Sequence, residues 1–129
     1  MMKPMAPPLI LMAIIFVLSS IPGQLESEGL KFLTDIDPKL QNMLHVPLFG
    51  TLQILWLQAL TKRGLSGWKS IVTCLAISLA YGCFDELHQM FVPGRYASLV
   101  DLLLNVTGIV IGTLVFMLWF ANNNEKSNA

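Results

Sequence analysis

Charge is what this sequence has least of. Only 12% of its 129 residues are charged, where a soluble domain carries about a quarter. Eight basic residues balance eight acidic ones, so no net field favours nucleic acid as a partner. Cysteine is scarce too. Cys74 and Cys83 fall in one apolar run, about 13–14 Å apart along an axis that rises about 1.5 Å per residue. That is too far for a disulfide. No CxxC and no metal-type cysteine spacing occurs, and both thiols read as small buried apolar residues. Internal repeats, a P-loop, HExxH and nucleophile or phosphatase signatures are all missing. These absences exclude a soluble DNA-binding or redox role and leave no cofactor and no particular metal specified.

What is present is apolar. The chain is 54% hydrophobic, with mean hydropathy +0.64, so lipid is the solvent expected for most of its surface. Its length allows one domain, residues 1–129. Four apolar runs can be read: Met5 to Ile21, Asn42 to Leu60, Trp68 or Ser70 to Val92, and Ser98 to Ala121. A bilayer core takes about 20 helical residues, which the last three runs supply. The first is short, and Pro7-Pro8 trims it further. It reads either as a signal-peptide h-region behind Lys3, with small residues near Ser19 or Ser20, or as a short retained span. The predicted fold is an all-α integral membrane bundle of four transmembrane helices, the first one short. The polar stretch after Ala121, residues 122–129, reads as a disordered tail.

Orientation follows from lysine and arginine in the short loops. Lys62, Arg63 and Lys69 crowd the loop between the second and third runs without an acid. The loop before the second run mixes Lys31 and Lys39 with Glu26, Glu28, Asp35 and Asp37. This pattern predicts both termini and the 61–69 loop in the cytoplasm of a multi-pass protein of the cytoplasmic membrane. Trp56, Trp68 and Trp119 fall towards the same side, where an aromatic belt is expected.

Against this background, Tyr81 to Gly112 holds three acids, a histidine, a glutamine, an arginine and an asparagine. At about 100° per residue, Ser78, Tyr81, Gly82, Asp85 and Gln89 share one face of the third helix, with His88 at its edge and Glu86 turned away. Ser98, Asp101, Asn105, Gly108 and Gly112 share a face of the fourth. Asn42, His45, Phe49, Leu52 and Trp56 share a face of the second. Three helices thus bring polar groups to one level, the outer end. Val92-Pro93-Gly94 predicts a tight turn that folds the last two helices into an antiparallel hairpin. Ser98 fits an N-cap with Asp101 as a capping-box carboxylate, and Gly108 and Gly112 form a GxxxG that permits close helix approach.

The run DELHQMFVPGRYASLVDLLLNVTGIVIG resembles the VanZ-like family, in which an Asp-Glu pair, a glutamine, a Pro-Gly-Arg turn, then Asp, Asn and two glycines follow one another. The matching positions are His45, Asp85, Glu86, Gln89, Pro93, Gly94, Arg95, Ser98, Asp101, Asn105, Gly108 and Gly112, and the resemblance covers residues 42 to 116. Phe49 stands where the family has an aromatic, and His88 is an extra histidine. The family is named for a member associated with resistance to the glycopeptide teicoplanin. The resemblance implies a small multi-span bacterial membrane protein; it suggests a link to the glycopeptide antibiotic response without implying that this chain confers resistance, and it brings no settled reaction.

Charges inside a membrane cost about 2.5–3.5 kcal/mol at helix centre and default to function. Asp85, Glu86 and Asp101 exceed Arg95 by two negative charges, which protonation, charged histidines, a bound cation or water must offset. One reading makes His45, Asp85, Glu86 and Asp101 candidate catalytic groups. Gln89, Arg95 and Asn105 would then bind an envelope lipid or an anionic, lipid-linked headgroup. The other is a non-catalytic scaffold in which Arg95 bridges Asp85 and Asp101 while Glu86 faces water. Whether the protein is an enzyme stays open. The partners expected are membrane lipids; further copies of the chain enter with a third reading, a transporter, for which four helices are few unless the protein oligomerises. His88 reads as an interface residue and Tyr81 as packing with a polar tip.

Overall fold

The computed structural model describes residues 3–23 and 42–127. A 3-10 turn at Lys3–Met5 leads into α1, Ala6–Ser19. Then come α2, His45–Thr61; α3, Gly67–Gln89; and α4, Leu99–Ser127. Pro7 and Pro8 do not shorten α1, because they occupy its first turn, where a backbone N–H has no intrahelical acceptor to lose. At the other end α4 runs to Ser127, into the stretch expected to be disordered. Propagating a nucleated helix adds one hydrogen bond per residue fixed.

Among the described residues, two helices are long and apolar enough to cross a membrane, Gly67–Gln89 and the Leu99–Asn123 part of α4. The second run falls short of the span expected for it. A turn at Leu44 interrupts the helix, and the 17 residues of α2 reach about 25 Å at about 1.5 Å each, against a hydrocarbon core of about 30 Å. The outward faces are nevertheless apolar: Ile10, Val17, Val72, Phe84, Leu103, Leu114 and Leu118 are all exposed. A continuous surface of this kind is rare in water and suits lipid.

The core lies between α2, α3 and α4, with Ile15 of α1 closing one side; Phe49, Leu52, Leu57, Tyr81 and Ile109 are buried in it. α4 packs chiefly along α2, and glycine is the reason. A β-carbon on Gly108 would strike the carbonyl oxygen of Val46, and one on Gly112 that of Gly50. The GxxxG thus serves α2, running parallel to α4, while α3 packs antiparallel to both. The hairpin turn is built as expected: Val92 N–H donates to Gln89 O at 3.1 Å and Arg95 N–H to Val92 O at 3.0 Å, and Gly94 takes φ +74°, which glycine alone adopts without strain. The segment just after α1 docks on that turn, Gly23 N–H donating to Pro93 O at 3.0 Å.

A polar thread also crosses the apolar middle of the bundle. Ser78 Oγ donates to Gln53 Oε1 at 2.7 Å, Gln53 Nε2 to Thr113 Oγ1 at 3.0 Å, and Thr113 Oγ1 to Ile109 O at 2.9 Å. Three helices are joined with these groups satisfied, as a low-dielectric interior demands.

Two aromatic and thiol expectations need correction. Trp56 is buried among the core residues instead of joining a lipid-facing belt, while Trp68 and Trp119 are exposed. Cys74 is buried but Cys83 is exposed, because it lies on the lipid side of α3, opposite the packed stripe.

Candidate functional site

Local structure delivers the polar side chains to one end of the bundle. His45 opens α2. Asp85, Glu86 and Gln89 lie in the last turns of α3, and Asp101 stands in the first turn of α4 with Asn105 one turn on. Arg95 sits on the connecting turn. Asp85 is fully buried, and Asn105, Gln89, Glu86 and Asp101 nearly so; His45 and Arg95 are half-buried.

The hydrogen bonds divide the cluster into held and free atoms. His45 Nδ1 lies 2.8 Å from Asn105 Oδ1. Gln89 Nε2 donates to Asp85 Oδ2 at 3.3 Å. Ser98 N–H donates to Glu86 Oε2 at 3.0 Å. Among the described residues, Asp85 Oδ1, Glu86 Oε1, Asp101 Oδ1 and Asn105 Nδ2 are buried without a hydrogen-bond partner. One ligand atom each from His45, Asp85 and Glu86 falls within 4.8 Å of the others. Phe49 supports the ring of His45, the two centroids 6.3 Å apart and nearly parallel.

Three expectations change here. Glu86 does not face water: α4 arrives over it through the short turn, and its carboxylate accepts the N–H of Ser98, the residue just before that helix. Asp101 is not the capping-box partner of Ser98. Ser98 Oγ does accept Val100 N–H at 3.2 Å and Asp101 N–H at 3.4 Å, but the reciprocal bond comes from Glu86, whose extra methylene and neighbouring helix give it the reach. Arg95 bridges neither acid; its Nε donates to Ile21 O at 3.1 Å, so it ties the segment just after α1 to the turn.

His88 is likewise a tie between helices. Its ring stacks on Phe16 at 4.4 Å, and its Nε2 lies 2.9 Å from Ser20 Oγ. Since Ser20 Oγ donates its hydrogen to Phe16 O at 2.7 Å, the ring nitrogen is the donor, and this pair has no activated nucleophile. Tyr81 reaches α1 as well, its hydroxyl donating to Met12 O at 2.5 Å. Sequence reasoning missed the roles of Ser20 and Gln53, uncharged polar residues within apolar runs that no motif singles out.

A cavity of about 120 Å³ opens beside the cluster. Its polar wall is Ser19, His45, Asp85, Gln89 and Arg95, and its apolar wall includes Ile15, Leu18, Leu44 and Phe49. Glu86, Asp101 and Asn105 lie outside this wall. At the opposite end of the bundle a larger cavity, about 360 Å³, is lined by residues such as Leu57, Ile71 and Phe116 and by no ionisable side chain. Only the smaller of these two cavities therefore borders the polar cluster.

The model of the VanZ/LLP1 family matches residues 7–120 of the chain. The match takes in α1, which lay outside the resemblance read at residues 42–116. No curated protein and no solved structure gives a match.

Proposed function

The chain belongs to the VanZ/LLP1 family, and from that premise we propose that its polar cluster binds the anionic headgroup of an envelope lipid or lipid-linked precursor. The protein lies in the bacterial cytoplasmic membrane with both termini inside and the cluster at the outer face. What supports the reading is one observation: Arg95 and His45 share an apolar-backed cavity with Asp85 and Gln89. A guanidinium held through Nε keeps its two terminal nitrogens for a phosphate, a pairing its planar fork suits. The apolar wall fits the first carbons of a lipid chain.

The test is lipid binding by the purified full chain, followed by native mass spectrometry. Polyprenyl phosphate and phosphatidylglycerol should be retained over phosphatidylcholine. Arg95→Gln should weaken the anionic lipids about tenfold, the value of one charge-assisted hydrogen bond, and leave phosphatidylcholine unchanged. Equal retention of all three lipids, or no effect of Arg95→Gln, would overturn the reading.

The bonds His45–Asn105, Gln89–Asp85 and Ser98–Glu86 favour a second reading, a scaffold whose polar groups serve one another. It predicts that Asp85→Asn and His45→Gln, at matched protein level, restore whatever deletion of the gene removes.

A further inference from the structure

We infer that His45, Asp85 and Glu86 form a binding site for a divalent first-row transition-metal ion. The inference goes beyond the headgroup reading and does not need it.

Convergence comes first. Ligand atoms from three residues on two helices lie within 4.8 Å of one another. Around a tetrahedral ion with bonds of about 2.1 Å the ligand atoms stand about 3.4 Å apart. Turning the two carboxylates inward by about an ångström closes that gap, and their terminal torsions are soft.

The second observation is the pattern of free atoms. Each carboxylate is held by one oxygen and leaves the other without a partner among the described residues: Asp85 by Oδ2 with Oδ1 free, Glu86 by Oε2 with Oε1 free. Both residues are more than nine-tenths buried. A buried acceptor with no donor is costly, and an ion satisfies two of them at once. His45 follows the same pattern. With Nδ1–H donated to Asn105 Oδ1, the lone pair is left on Nε2. Histidine ligands are usually oriented in this way, the second ring nitrogen donating to an oxygen that fixes the tautomer. Asn105, Gln89 and the Ser98 amide are thus the supports of the three ligands.

Charge agrees. Asp101 adds a third carboxylate with a free buried oxygen at the same end of the bundle, and Arg95 is bonded to a carbonyl and to none of these acids among the described residues. A dication brings the cluster close to neutrality. An imidazole in the set favours iron, nickel or zinc over magnesium and calcium, and the two carboxylates suit manganese as well. His45 and Asp85 also border the cavity, so an ion held by them would be within reach of whatever enters it.

The experiment uses the full chain in detergent, stripped with a chelator and titrated with Mn²⁺ and with Zn²⁺, no lipid added. One ion per chain should bind saturably and raise the unfolding temperature. His45→Gln, Asp85→Asn and Glu86→Gln should each weaken binding by at least about tenfold, the least effect expected even for the loss of a supporting residue. His88→Gln should bind as the parent does. Should a ligand variant fail to fold, pulsed EPR of the Mn²⁺-loaded parent decides: coupling to one imidazole nitrogen, retained in His88→Gln, is expected. No saturable binding, unchanged affinity in the three variants, or no nitrogen coupling would overturn the site. Because lipid is absent, any of these leaves the headgroup reading standing, and loss of headgroup binding leaves this one.

Discussion

Gly112 of α4 faces Gly50 of α2 so closely that a β-carbon on Gly112 would collide with the Gly50 carbonyl oxygen. Gly108 meets Val46 in the same way one turn earlier. Van der Waals contact over small residues is a main source of helix association in lipid, and here it sets the axial register of α2 against α4. That register carries His45 to Asn105. Gly112→Ala and Gly108→Ala should therefore lower stability in detergent by about 1–3 kcal/mol, the usual cost of overpacking. Leu114→Ala, on the exposed face, should stay within about 0.5 kcal/mol. Thermal unfolding of the purified variants measures both; a silent Gly112→Ala would mean the helices do not meet there.

The thread through Gln53 should be worth less than its burial suggests. Hydrogen bonds between membrane helices contribute about 0.6 kcal/mol on average and rarely exceed about 1.7 kcal/mol. A double-mutant cycle of Gln53→Leu and Ser78→Ala should give a coupling of about 1 kcal/mol, since the two side chains are 2.7 Å apart. Strict additivity would show that the bond is not formed.

Retention of α1 is a further prediction. Ile15 belongs to the core, Met12 O accepts the Tyr81 hydroxyl, and Phe16 and Ser20 hold His88. The mature chain should keep residues 3–21, read from the intact mass of protein purified from its host. Tyr81→Phe should cost about 1 kcal/mol and leave the chain length unchanged. A mature chain beginning near Ile21 would identify the first run as a cleaved signal.

Topology can be read by labelling. In a Cys74→Ser, Cys83→Ser background, single cysteines at the exposed positions Ser66 and Tyr96 should respond oppositely to an impermeant thiol reagent on intact protoplasts. Ser66→Cys should be protected until lysis and Tyr96→Cys labelled at once. The reverse pattern would invert the orientation taken from Lys62, Arg63 and Lys69.

Some of this protein was written in one dimension. The apolar runs determine that it is helical and suited to lipid, because no other solvent accepts so much exposed leucine, valine and phenylalanine. The spacing of His45, Asp85, Asp101 and Asn105 brings polar groups to one end, since helical period and run length alone give each residue its depth. Pro93-Gly94 determines the turn by backbone sterics, and the ordered motif determines the family.

Which groups meet was decided by the tertiary structure. A helical wheel places Glu86 off the polar stripe, and only the arrival of α4 turns that second arc inward and gives the carboxylate an amide to cap. Arg95 had two acids within plausible reach, yet its partner is a backbone carbonyl of Ile21, a group that no sequence pattern distinguishes. Trp56 reads as a belt residue by depth, yet it shares the helix face of Phe49 and Leu52, and the packing of the other helices onto that face makes it core. Depth follows from counting residues along one helix, whereas azimuth and partnership follow from how three helices pack. In this bundle that packing is governed by the few glycines where two backbones come close enough to touch.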